Sequence, residues 1–166
     1  IALVSIPLSY STLSRPHARQ DFLAGLKTVP AELQRYLVVT LTGFPDGVPT
    51  AALSENVHLI KNHVRGVSAR VHPETNSLKS LKEAGIQIVG FKFPEAETVS
   101  AKMEQTMQSF KTNASKFGLN IFVRNLKRKD LVRTAIDLEY DYFSGPVIAD
   151  LSDYVGPVRE VDLSSF

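Results

Sequence analysis

Short runs of β-forming residues alternate along the chain with longer segments of helical period, and this alternation restricts the fold more than any other feature. The candidate strands are Ala2 to Leu8, Tyr36 to Thr42, Gly66 to Val71, Ile86 to Phe91, Leu119 to Arg124, and a weaker run from Tyr142 to Ile148. Helix-length connections between strands are what βαβ units need, so the expected product is a mainly parallel sheet flanked by helices. Runs such as YLVVTLT and IQIVGF are mostly apolar, as strands covered on both faces are. Two architectures satisfy this reading, a (β/α) barrel and an open doubly wound parallel sheet. Both place ligands at the C-terminal ends of their strands.

The helical segments carry their own signals. Val99, Met103, Met107, Phe110, Ala114 and Phe117 recur at steps of four or three, which puts one apolar stripe against the sheet, and Gly118 follows at a C-cap position. Both methionines thereby fall at core spacing. Leu53, Val57, Ile60 and Val64 define a second helix, expected to end at Gly66. His17 to Leu26, Ser77 to Ala84 and Lys127 to Ile136 complete the set, and GFPDGVP at 43–49 reads as a turn-rich loop.

Composition removes several functional classes. The 166 residues suit one domain spanning 1–166 with a sizeable core. Without cysteine there are no disulfides, thiolate metal sites or thiol nucleophiles, and the expected compartment is the cytoplasm. No apolar run reaches the length of about eighteen residues that a membrane span requires. Ile1 is not a start methionine, so the expectation is a chain that begins partway into a longer protein. A net charge of +2 does not argue for nucleic acid, and any basic function must be local. The densest basic stretch is FVRNLKRKDL, with Arg124, Lys127, Arg128 and Lys129.

No familiar catalytic motif is present. The glycines of 43–49 form neither a dinucleotide fingerprint nor a phosphate-binding loop, and no serine lies in a nucleophile elbow. Glu55 and His58 have the spacing of half a di-metal site, but no second half exists, and a solvated helix face explains them. His72 sits just past a strand end without an evident catalytic partner. The expected strand ends, Leu8 and Ser9, Thr40 and Thr42, Ala69 and Arg70, Gly90 to Lys92, Arg124 and Ser144, include no carboxylate. Hard divalent cations take oxygen ligands, so this rim predicts no metal site and no cofactor.

In the order of its elements and in some local wording, the chain resembles the latter two thirds of an EAL domain, the bacterial cyclic di-GMP phosphodiesterase module. The residues that carry the resemblance are VSIPLSYSTL, RYLVVTLTG, RGVSARVHPETNSLKSLKEAGIQIVGFKF, SKFGLNIFVRNLKRKDL and AIDLEYDYFSGPVIADL. It implies a modified TIM-type (β/α) barrel lacking the first strand and helix, including the segment that gives the family its name; a complete barrel takes about 250 residues. Active members supply an asparagine, glutamates, aspartates and a lysine from successive strand ends. The matching positions here are Pro7, Thr40, Ala69 with Arg70, Gly90 with Lys92, and Arg124 with Lys127, while Ser144 stands where the family has a glutamine.

The resemblance therefore implies a degenerate domain with no catalytic residue, acting in signal transduction through a protein partner or a neighbouring domain of its own chain. Two alternatives stay open: a non-hydrolysing sensor of an anionic nucleotide such as cyclic di-GMP, and an enzyme of unrelated chemistry on the same scaffold. For the sensor, the anion-binding candidates are Arg70, Lys92, Arg124, Lys127, Arg128 and Lys129. The last three fall near the first turn of a helix, where cations are mildly unfavourable unless an anion offsets them. A homodimer is also left open.

Overall fold

The computed structural model describes residues 3–44, 47–94, 100–149, 157, 160 and 162–165. Its strands are Val4–Ser9 (β1), Leu37–Thr42 (β2), Gly66–Arg70 (β3), Ile88–Lys92 (β4), Asn120–Arg124 (β5) and Tyr142–Ser144 (β6). Its helices are Tyr10–Leu13 (α1), Pro16–Thr28 (α2), Ala31–Gln34 (α3), Thr50–Lys61 (α4), Leu78–Glu83 (α5), Ser100–Ser115 (α6) and Lys129–Asp137 (α7). A 3-10 turn spans Leu163–Ser165.

All six strands are parallel and lie in chain order, β1 to β6. That order excludes the doubly wound alternative, which needs a point where the strand order reverses. Each crossover instead winds the same way, so the helices cover one face and the sheet curls into a half-barrel.

Strand parity separates two faces. Leu8, Leu41, Ala69, Val89 and Ile121 stand side by side across β1 to β5, and all are buried. This outer row packs against the helix stripes, among them Leu53, Val57 and Ile60 of α4 and Met103, Met107 and Phe110 of α6. Burial of each large side chain contributes about 1.5–3 kcal/mol. Phe91 adds edge-on contacts to Phe93 and Phe110, with centroids 5.1 and 5.0 Å away. The methionines are core residues, as their spacing predicts; Val99 lies outside the described residues.

Helix exits reuse one device. After α6, the Leu119 N–H donates to the Ala114 carbonyl and the Gly118 N–H to the Ser115 carbonyl, with Gly118 at φ 58°. This paired closure satisfies carbonyls that the helix end leaves open and turns the chain into β5. Gly85 does the same after α5, and Glu139, at φ 54°, does so after α7.

Several boundaries differ from the sequence reading. β4 starts two residues late because Gly85 turns the chain and Ile86 enters the core before the ladder begins. α4 stops at Lys61, and Gly66 opens β3 rather than ending the helix. β6 ends at Ser144: Gly145 lies so close to the Leu126 backbone that no Cβ would fit, and Ile148 N–H turns back to the Gly145 carbonyl. α1 and α3 are single turns without a readable apolar period. Among the described residues, no helix is long and apolar enough to cross a membrane.

Candidate functional site: the concave face and its basic rim

The inner face of the curled sheet is built from the opposite strand parity. Pro7, Thr40, Ser68, Ile88 and Asn120 form one row across β1 to β5. Nearer the C-terminal rim, Arg70, Gly90, Phe122 and Tyr142 form the next, and Lys92, Arg124 and Ser144 the last. A concave cavity of about 180 Å³ opens on this face, and its walls include Ser5, Val38, Thr40, Ser68, Phe122, Arg124 and Tyr142.

Low in this cavity the polar groups satisfy one another. Thr40 Oγ1 lies 2.7 Å from Ser5 Oγ and 2.8 Å from Ser68 Oγ, a chain of three hydroxyls across β1, β2 and β3. Thr40 and Ser68 are buried, and buried hydroxyls need such partners. The chain is neutral, so it supplies neither the charge nor the oxygen set that a hard cation requires. Gly90 has a packing role: a Cβ there would run into the carbonyl and ring of Phe122, so only glycine lets that ring lie across β4.

At the rim, the structure brings Arg70, Lys92 and Arg124 onto the inner face of three adjacent strands. Arg70 and Arg124 are half-buried and make no hydrogen bond or ion pair with the described residues. Ala69, paired with Arg70 in the sequence reading, points instead into the helix layer. Thr42 Oγ1 is held by the Leu8 carbonyl at 3.5 Å, and Ser144 closes the row.

The basic cluster after β5 divides differently from its appearance in sequence. α7 begins at Lys129, so Arg128 is its N-cap residue and Lys127 precedes the helix. Arg128 donates from Nε and Nη2 to the two Asp130 carboxylate oxygens at 3.0 and 2.8 Å. That hydrogen bond and charge, with a smaller influence from Glu104, raise the Arg128 pKa above the ordinary guanidinium value. Asp130 thus supplies the anion in the first turn that the sequence argument left to a ligand. The left-handed Asn125, at φ 68°, sits before this loop, and its side-chain amide donates to the Phe93 carbonyl at 2.8 Å.

Glu55 and His58 are both exposed on α4. Among the described residues, no group of three or more histidines, aspartates or glutamates is placed to hold a metal ion. The inner-face residues that the sequence reading missed include Ser5, Ser68, Phe122 and Tyr142. Strand parity was the signal that could have found them, since each stands an even number of residues from a named rim position.

The fold is an α/β half-barrel of the TIM type, cut from a parallel sheet wound in one sense. It is similar to the Bacillus subtilis YkuI protein, which has an EAL domain and was solved in complex with its substrate c-di-GMP and calcium: TM-score 0.72 and 16% identity, over 93% of this chain and 38% of that one. A mandelate oxidase variant with an FMN adduct is a more distant likeness, at TM-score 0.50 and 12% identity, covering 86% of this chain and 46% of that one. The chain spans less than half the length of either neighbour. No family model matches the sequence, and no curated protein matches it significantly.

Proposed function

We propose that this chain is a non-catalytic, EAL-like signalling domain that works by contact with a protein partner or a neighbouring domain. The observation that carries the reading is the chemistry of the strand ends. Ser9, Thr42, Arg70, Lys92, Arg124 and Ser144 end the six strands, and none offers a carboxylate to a divalent cation. Metal-assisted phosphodiester hydrolysis needs oxygen donors and negative charge at that place, and the charge here is reversed.

The open inner face supports contact as the mode of action. Val38 and Phe122 form an apolar floor, and Tyr142 on the edge strand β6 is 43% exposed. The other edge strand, β1, carries Val4 at 55%. Exposed edges of a parallel sheet with apolar side chains are surfaces that other chains cover. A photo-crosslinking residue at position 142 of the full-length protein, compared with one at Asn113 on the outside of α6, tests this. A defined adduct at 142 with none at 113 is expected. Adducts at 113 alone, or none at either, would contradict the reading.

A second reading, a non-hydrolysing sensor of an anionic nucleotide, is favoured by the Lys92 and Arg124 row alone. Its test is a thermal-shift series with cyclic di-GMP, with and without magnesium, since a ligand of the native state must raise apparent stability. Charge reversal at Arg124 and Lys127 would then abolish the shift.

A further inference from the structure

We propose that a second cavity, above the ends of β2 and β3, binds a small phosphorylated molecule with an apolar body. The cavity measures about 280 Å³ and lies between Gly43, Phe44, Gly47 and Val48 after β2 and Val71, His72, Thr75 and Ser77 after β3. It does not rest on the partner reading, because its walls come from loop and helix residues outside the concave face, with Arg70 as the one residue of the rim that reaches it.

One wall is apolar, formed by Phe44, Val48, Leu53 and Leu81. The other presents donors. Arg70 is permanently ionised, half-buried and without a hydrogen bond or ion pair to the described residues. A guanidinium drawn partly out of water favours a counter-anion, and phosphate oxygens suit its forked geometry.

The turn that follows β3 orients further donors toward the same space. His72 Nδ1 accepts from the Glu74 N–H at 3.3 Å, which leaves Nε2 as the ring nitrogen available to a ligand. Thr75 Oγ1 accepts from the Ser77 N–H at 3.2 Å, and the Thr75 N–H closes on the His72 carbonyl at 3.0 Å. The turn is therefore held by its own hydrogen bonds, while the hydroxyls of Thr75, Ser77 and Ser80 still have protons to donate into the cavity that they line.

The described lining holds no carboxylate. A guanidinium, an imidazole nitrogen and several hydroxyls outnumber what a carboxylate ligand can accept comfortably. They match the three terminal oxygens of a phosphomonoester. The apolar wall would take the body of the molecule, as small-molecule pockets with few convergent polar groups do.

Calorimetric titration of the full-length protein with phenyl phosphate, inorganic phosphate and phenol separates the two halves of the site. Phenyl phosphate is expected to bind, more tightly than inorganic phosphate, and phenol not to bind. Arg70→Gln and Ser80→Leu, the second filling the cavity from α5, should each weaken phenyl phosphate by about tenfold or more. Arg124→Gln should leave it unchanged. Circular dichroism and melting of each variant establish that it is folded, and the two independent variants keep the test decisive if one is not. The proposal is overturned if wild-type protein fails to bind phenyl phosphate at millimolar concentration, or if phenol binds equally well. It is also overturned if neither folded cavity variant weakens binding, or if Arg124→Gln weakens it as much as Arg70→Gln, which would place the anion at the barrel mouth.

Discussion

Arg128 and Asp130 form a two-point ion pair at the head of α7, with Nε to Oδ1 at 3.0 Å and Nη2 to Oδ2 at 2.8 Å. The pair changes what the basic stretch after β5 means. A helix N-terminus carrying only cations would invite an anion; this one has its anion two residues away on the same strand of chain. Asp130→Asn should therefore produce a small fall in melting temperature that shrinks as salt is added, because both partners are about half exposed. A salt-independent change would contradict an electrostatic role.

Thr40 is the centre of the hydroxyl chain on the inner face. Its replacement by valine keeps the shape and leaves the Ser68 hydroxyl, in a residue 3% exposed, without its partner. The expected loss is about 1–3 kcal/mol by denaturant titration. Thr40→Val with Ser68→Ala should lose less than the single variant, because the stranded hydroxyl is then gone. A double variant worse than the single would show that Ser68 is satisfied in another way.

Glu139 closes α7 in a left-handed conformation that the matching positions after α5 and α6 give to Gly85 and Gly118. Its side chain is 88% exposed and reaches Lys111 only at 4.0 Å, a contact of little worth. Glu139→Gly should raise stability by about 0.5–1 kcal/mol after glycine's extra freedom in the unfolded chain is deducted. Glu139→Ala keeps the strain and should show no such gain.

Tyr140 is buried, and its hydroxyl donates to the Met107 carbonyl at 3.0 Å. Burial pushes the phenol well above its ordinary value of 10.0. The folded state thus holds a proton that the unfolded chain releases first, so this contribution is complete below pH ~10 and declines as pH rises beyond it. Stability measured across the alkaline range should fall more steeply for the wild type than for Tyr140→Phe. Parallel curves would contradict the shift. At neutral pH the Phe variant should lose about 1 kcal/mol with the hydrogen bond.

Much of the fold was legible because the signals were local and repeated. The βα alternation, the stripe through Met103, Met107 and Phe110, and the exit at Gly118 each follow from short-range physics that the structure retains. What escaped was whatever depends on a partner far along the chain. The pairing of Thr40 with Ser5 and Ser68 spans 35 and 28 residues and leaves no trace in either local segment. The early end of β6 depends on the contact of Gly145 with Leu126, which is equally invisible in sequence. At the rim, Arg70, Lys92 and Arg124 stand out by residue type and their common face emerges only from register, and the pairing of Arg128 with Asp130 emerges only from side-chain geometry.

The central claim is that this half-barrel acts by binding and not by turnover. The direct measurement is incubation of the full-length protein with cyclic di-GMP and magnesium or manganese, with the linear dinucleotide product resolved by chromatography. Product no greater than in the protein-free blank is the result predicted by a rim of Thr42, Arg70, Lys92 and Arg124. Metal-dependent product that rises with protein concentration and disappears on chelation would contradict it.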